Sequence, residues 1–326
     1  MQAICGNREA TERAAGAARV GKYMGIHRSA VGALLVLASI GAWAEENEQK
    51  RSRNWSVEVG TMVGHDSNVF GRSNTNNEPV PTATLTSFYL RGDVHKRGAS
   101  GYFHGRRTSY ISDAPLSDRS MGLVGAMYTG RTVQLGVDYL LMPGTEYKED
   151  DSEEYFDLES LGVRFRVGSS RSIWVSADYA VEEWTFDPVS ADQDARVHNT
   201  VLSLGIPAGR RLGLRGSYLM QVKEAQGPEY SFDAYGFAIE LRASPATKMA
   251  LMARYRFRAR AYAAAPIATE NYGREDEIED MTLNLRVNVG RHWGVRLEDS
   301  YRSVASTKPG RSHKGVQAQA GLFLVF

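Results

Sequence analysis

Thiols are nearly absent from this sequence: its single cysteine, Cys5, lies within the first ten residues. A second cysteine is lacking, so no intrachain disulfide framework can form. Long apolar runs are missing too. Beyond residue 44 no segment approaches the ~20 apolar residues that a membrane-spanning helix needs. There is no phosphate-binding glycine loop, no metal-ligand spacing and no nucleic-acid module. Neither a cofactor nor a metal site is therefore expected, and nucleic acid is not an expected partner.

The chain does hold 32 Gly, 16 Tyr and 11 Phe in 326 residues, with a mean hydropathy of -0.37. That mixture suits strands with one apolar and one polar face. Near the start, His27 and Arg28 precede an apolar run from Ala30 to Ile40 and then Ala42-Trp43-Ala44. This is the pattern of a secretory signal peptide, with cleavage expected before Glu45. Residues 1–44 are thus expected to be leader, Met1 to Tyr23 being an over-long start or an extended n-region. A periplasmic segment, 45–53, would follow, and a barrel domain, 54–326. Removing 1–44 takes away Arg8, Arg13, Arg19, Lys22 and Arg28 with Glu9 and Glu12, which turns the formal charge of +1 into −2. Cys5 would leave as well, so the mature chain would have no thiol to oxidise and no lipoprotein cysteine.

After the leader, apolar residues alternate with polar ones. In Val133-Gln134-Leu135-Gly136-Val137-Asp138-Tyr139 the odd positions are apolar and the even ones are not, the period of a strand with two different faces. The pattern returns in Ile173 to Val181, Leu212 to Val222, Tyr235 to Ala243, Met249 to Ala259, Met281 to Val289 and Trp293 to Tyr301. Around Tyr102 to Ile111 and Met121 to Tyr128 it is poor.

A soluble sandwich also alternates, but the connections favour a barrel. Six short links (Lys96 to Ala99, Thr129 to Thr132, Gly168 to Arg171, Pro207 to Arg211, Ala243 to Lys248, Gly290 to His292) interleave with seven longer polar ones. The longer set comprises Gly64 to Ala83, Ser112 to Asp118, Pro143 to Glu154, Thr185 to Arg196, Lys223 to Ser231, Tyr262 to Asp276 and Ala305 to Arg311. Short periplasmic turns with long external loops mark a transmembrane antiparallel up-and-down β-barrel. The links imply fourteen strands, with twelve or sixteen as alternatives, and an even number puts both termini in the periplasm. The chain ends in alternate apolar residues closing on Phe326, which resembles the C-terminal signature of outer-membrane proteins and makes the barrel-assembly machinery an expected partner beside outer-membrane lipid and lipopolysaccharide. Trp55, Tyr139, Tyr179, Tyr218, Tyr255, Trp293 and Tyr301, near strand ends, suit interfacial girdles or plain lipid-facing bulk.

If the apolar set faces lipid, the other set lines the lumen. Its basic members are Arg91, Arg164, Arg166, Arg215, Arg242, Arg254, Arg256, Arg258, Arg260, Arg286, Arg296 and Arg302. Glu58, Asp93, Asp138, Asp178, Glu182, Glu240 and Glu298 are the acidic ones. A net positive lumen follows. The densest feature is Arg254 to Arg260, four guanidiniums on one face of one strand. Same-face neighbours on a strand lie about 6.6 to 6.8 Å apart, which makes a ladder roughly 20 Å long. Such a ladder attracts anions and can pass them between sites. It can equally be lumen filler, paired to Glu240 or Glu298 across neighbouring strands. The acidic run Tyr147 to Glu154 is read as a solvated outer loop, since it lacks the ordered spacing of a calcium loop.

Val63-Gly64-His65-Asp66-Ser67-Asn68-Val69-Phe70 follows the first strand. Its Gly64, Asp66, Ser67, Asn68, Val69 and Phe70 resemble the first-loop motif of the β-barrel porins encoded in exopolysaccharide operons, the EpsL-like or beta-barrel porin 2 group. The resemblance implies an outer-membrane channel or accessory for polysaccharide export, with polysaccharide-export components as partners. Read from the residues alone, Asp66 and Asn68 are turn formers, and Val69 with Phe70 can tuck the loop into a barrel mouth. The motif would then be a folding feature.

An outer-membrane hydrolase would need a nucleophile and base gathered at one rim. His65-Asp66 is the only suggestive pair, and loop capping suits it better. The expectation is a non-enzyme: a channel with an arginine-lined, anion-favouring lumen for export of an acidic polysaccharide. The alternative is a plugged structural or assembly barrel, with a hydrolase as the distant third.

Overall fold

The structure, a computed structural model, describes residues 55–67, 82–96, 98–111, 119–143, 147–149, 152–154, 156–169, 172–186, 188–262, 265–269 and 271–326. The expected leader and periplasmic segment lie outside these residues, as do Asn68, Val69 and Phe70.

Sixteen strands are present among the described residues: β1 (Trp55–Asp66), β2 (Ala83–Lys96), β3 (Ala99–Ile111), β4 (Arg119–Thr129), β5 (Val133–Met142), β6 (Tyr147–Glu149), β7 (Ser152–Glu154), β8 (Phe156–Val167), β9 (Trp174–Phe186), β10 (Ala195–Pro207), β11 (Leu212–Ala225), β12 (Phe232–Ala243), β13 (Met249–Ala261), β14 (Glu275–Asn288), β15 (Trp293–Ser306) and β16 (His313–Val325). Fourteen of them close a barrel by pairing with their sequence neighbours, and β1 closes it against β16. Every pairing in it is antiparallel, from Glu58↔Val325 at the seam to Val133↔Val167 where β5 meets β8. Closure leaves no edge with unpaired amides. Two of the tight turns rest on glycines that supply a left-handed φ, Gly98 (+86°) and Gly168 (+104°).

The register fixes which residues face inward. Arg106 on β3 donates to Glu298 on β15 at 2.9 Å, and Arg286 on β14 meets Glu58 on β1 at 2.7 Å. Only side chains on the concave face can meet across several strands. Tracing cross-strand partners from these residues makes the inner set even-numbered in β1, β3, β5, β8, β9 and β12 to β15, and odd-numbered in β2, β4, β10, β11 and β16.

The outer set is a belt of exposed apolar residues, among them Phe88, Val124, Leu135, Leu161, Val175, Leu202, Phe237 and Leu322. At about 3.3 Å per residue, barrel strands of 10 to 14 residues run for roughly 33 to 46 Å before tilt, more than an apolar band of ~25 Å requires. The surplus at the long-loop end carries polar outer residues. There Arg196 donates to Glu183 at 2.8 Å, and the Tyr139 and Tyr255 hydroxyls donate to Glu159 and Glu279 at 3.0 and 3.1 Å. The seven strand-end aromatics all belong to the outer set.

Several connections are shorter than the sequence suggested. Gly64 to Asp66 are not loop but the last turns of the β1–β16 ladder, with Asp66↔Gln317 its final pair. Lys223 belongs to β11, and Asp276 to β14. Residues on both faces are polar at that end, so period-two hydrophobicity vanishes while backbone pairing continues. The acidic run is also not an irregular loop: β6 and β7 form a small hairpin of their own, Tyr147↔Glu154 to Glu149↔Ser152.

Candidate functional site

The twelve arginines and seven carboxylates expected in the lumen all stand on the concave face. What the sequence reading missed is how they are partnered. Arg256 donates from Nε to Asp280 at 2.9 Å, Arg302 reaches the other Asp280 oxygen at 2.7 Å, and Arg258 stands 3.6 Å from the same carboxylate. Asp280, on the strand beside the ladder, thus gathers three guanidiniums. Arg260 at the ladder's outer end lies 4.0 Å from Asp276 and over the Phe232 ring at 4.1 Å. Asp276 in turn is held by two hydrogen bonds from Arg274, at 3.0 and 2.8 Å. The ladder is therefore partly neutralised by two carboxylates that the sequence analysis had assigned to a loop or passed over.

Arg254 is different. Among the described residues it makes no close ion pair and no hydrogen bond: Glu240, its cross-strand partner on β12, is engaged by Arg242, and Glu240 and Asp280 act on it only at longer range. Arg166 likewise has no carboxylate partner; its guanidinium lies over the Trp174 ring at 3.9 Å, and its Nε is buried without a hydrogen bond. Between them, Arg164 and Arg215 share Asp178 at 2.6 and 3.2 Å, and Arg242 donates to Glu240 at 2.7 Å. This wall, from β8 through β13, carries two arginines without a close ion pair in the half of the barrel nearer the short turns. Trp174 fits there because β10 places a glycine under it: a Cβ on Gly205 would meet the indole at 2.0 Å.

The seam side is packed instead. Glu58, 3% exposed, is approached by Arg286 at 2.7 Å, Arg91 at 3.5 Å and Arg296 at 3.9 Å, and it accepts the Tyr89 hydroxyl at 3.1 Å. Beneath lie Met62, Tyr89 and Phe323, an apolar cluster of fully buried side chains. Further along, Arg106 joins Glu298, Gln319 (2.7 Å) and Ser87 (3.2 Å). The poor alternation of β3 hides Arg106 from a sequence pattern; its even parity with Tyr102 and Thr108 is the available signal. Near the long-loop end Lys223, 7% exposed, stands 5.0 Å from the Trp184 ring, 5.6 Å from Phe186 and 6.0 Å from Phe232.

The motif residues of the first connection are split by the strand geometry. Ser67 caps the seam: its N–H donates to the Val316 carbonyl at 2.9 Å, and its Oγ accepts from the Val316 N–H at 2.8 Å. Successive side chains on a strand point to opposite faces, so His65 and Asp66 cannot form an acid–base pair. His198 pairs with the Tyr179 hydroxyl at 2.7 Å on the outer surface, and His95 with Asp93 at 2.8 Å near a short turn. Among the described residues no histidine is hydrogen-bonded to a serine or threonine hydroxyl, and no cluster of His, Cys, Asp or Glu has metal-binding geometry. Phe326 follows β16 directly and exchanges backbone hydrogen bonds with Val57 at 2.9 and 3.4 Å.

No protein-family model matches this chain, and no curated protein matches it either. Solved structures of outer-membrane barrels are similar in architecture. One is a TodX monoaromatic hydrocarbon channel mutant, 10% identical, covering 84% of this chain and 90% of its own, with a TM-score of 0.49. An anion-selective porin from Comamonas acidovorans is 8% identical over 83% and 98%, with a TM-score of 0.46. A bacterial polysaccharide outer membrane secretin is 10% identical over 85% and 99%, with a TM-score of 0.44. These are likenesses of barrel to barrel, and none transfers a cargo to this chain.

Proposed function

We propose that this chain is an outer-membrane channel of the exopolysaccharide-associated porin type, whose arginine-lined lumen favours anions and serves the export of an acidic polysaccharide. The observation that carries the reading is a wall on which cations outnumber carboxylates, so that Arg254 and Arg166 are left without a close ion pair. A fixed positive field in a water-filled passage raises the local concentration of anions. Guanidinium is the suitable group because it stays charged and grips carboxylate or phosphate with two donors. The apolar outer belt supports residence in a bilayer, with the short turns and both termini on the periplasmic side. The acidic polysaccharide as cargo rests on the Gly64 to Phe70 resemblance.

The test is single-channel conductance of refolded Glu45 to Phe326 in planar bilayers, with selectivity from the reversal potential in a salt gradient. Anion-selective steps are expected, and replacing Arg254 and Arg166 by Ser should move the reversal potential toward zero. A folded barrel that stays silent under all conditions overturns the channel.

One observation favours a second reading, a filled structural barrel. The bridges from Arg106 to Glu298 and from Arg286 to Glu58 span the concave face, as interior-filling side chains do in small barrels. For such a barrel, replacing Arg256 and Arg258 by Ser would lower stability and leave no conductance to change.

A further inference from the structure

The weak alternation of the fourth strand has a structural cause. Its inner face carries Met121, Leu123 and Met127, and that of the next strand carries Leu140 and Met142. All five are half-buried rather than sealed in a core. Their inward direction is fixed by Tyr102 on β3, whose ring lies over Gly125 and whose hydroxyl donates to Asp138 on β5 at 3.4 Å, across the concave face of β4. Barrel lumens are ordinarily polar. An apolar strip here leaves thioether and isobutyl groups facing the interior, where any apolar occupant would gain by covering them.

What stands opposite gives the strip its meaning. In the closed order of strands β4 and β13 are seven places apart in either direction, so they face one another across the lumen. Arg254 and Arg256 are the sixth and eighth residues of β13 counted from the short-turn end; Leu123 and Met121 are the seventh and ninth of β4. Guanidinium and apolar surface therefore confront each other at comparable depth.

Resting on the anion-channel reading above and not on the polysaccharide cargo, we propose that the lumen selects amphiphilic anions, compact molecules with a carboxylate on one side and an apolar body on the other. The carboxylate lies against Arg254 and Arg256; Arg254 makes no close ion pair because the Glu240 opposite it is engaged by Arg242, whereas Arg256 is shared with Asp280. The apolar body lies along Met121, Leu123 and Leu140. Methionine suits such a wall because its flexible thioether adapts to bodies of different shape. A fully hydrophilic anion uses only the arginine side, and a neutral apolar molecule only the other.

The experiment measures permeability relative to chloride, from reversal potentials, for 4-phenylbutyrate and for gluconate, with neutral 4-phenylbutanol tested for block of the chloride current. The full refolded barrel is used, and its folding is checked for every variant by heat-modifiable mobility on gels. The expected result is a phenylbutyrate ratio severalfold above that of gluconate, with no comparable block by phenylbutanol. Paired Met121→Ser and Leu123→Ser replacements should bring the ratio down to that of gluconate, each ratio being referred to chloride in the same variant. Arg254→Ser should lower both ratios together. Equal ratios for the two anions in the unmodified barrel, or a phenylbutyrate preference that survives the Met121 and Leu123 changes, overturns the amphiphile proposal while chloride conductance keeps the channel standing. Loss of all conductance in the unmodified barrel overturns both.

Discussion

Asp280 decides how much of the arginine ladder's charge is neutralised within the barrel wall, and on the channel proposal how much of it a passing ion would meet. Its two oxygens hold Arg256 and Arg302 at hydrogen-bond distance, with Arg258 slightly beyond. Opposite charges this close cancel most of one another's field at longer range. An Asp280→Asn replacement keeps the shape but turns one of the two acceptor oxygens into an NH2 donor, and it leaves one more positive charge unneutralised in the lumen. Anion preference should rise modestly, read as a larger reversal potential in a salt gradient, and the rise should shrink with added salt as screening grows. A drop in anion preference would show that Asp280 does not set the lumen field. At this scale the sequence was legible in part. Alternation within clean strands identified Arg254 to Arg260 and Glu240, because inner and outer residues there differ sharply in polarity. It could not show that Asp280 holds Arg256 while the Glu240 opposite Arg254 is taken by Arg242, since that difference lies in side chains on the neighbouring strands.

The seam is the element on which closure depends. β1 and β16 pair from Glu58↔Val325 to Asp66↔Gln317, and inner glycines allow the two backbones to coil tightly. A Cβ on Gly321 would stand 2.0 Å from the Thr61 carbonyl oxygen, a backbone atom with no room to yield. Gly321→Val should therefore destabilise the barrel by about 1 to 3 kcal/mol, the usual cost of overpacking. Urea unfolding in detergent micelles, followed by tryptophan fluorescence, measures it; an unchanged midpoint would mean that the seam has slack. Strand existence was largely readable, because alternation plus regular turns is a strong signal. Strand ends were not. In the first residues of β14, Glu275 to Asp280, both faces are polar apart from Ile278, so a pattern-based reading takes ladder for loop. β4 failed for the opposite reason, since apolar residues occupy both of its faces.

Arg106 bears on the whole molecule, because it joins β3 to β15 and β16 over the inner face of the intervening strands. Replacing it by Ser removes a long side chain from the lumen and leaves Glu298 to Arg296, which holds it at 2.8 Å. If Arg106 obstructs the passage, unit conductance should increase in Arg106→Ser, measured as single-channel step size at fixed salt. An unchanged step would place the constriction elsewhere. The sequence by itself determined the architecture: period-two polarity and the rhythm of short and long links suffice for an antiparallel up-and-down barrel, and the number of links pointed to fourteen strands, the count that closure confirms over twelve or sixteen. These are local properties, each written within some ten residues of chain. Only the tertiary structure decided the character of the lumen, because it brings β13 opposite β4 and sets Asp280 against the ladder, and such neighbours across a closed sheet are fixed by curvature and register rather than by any stretch of sequence.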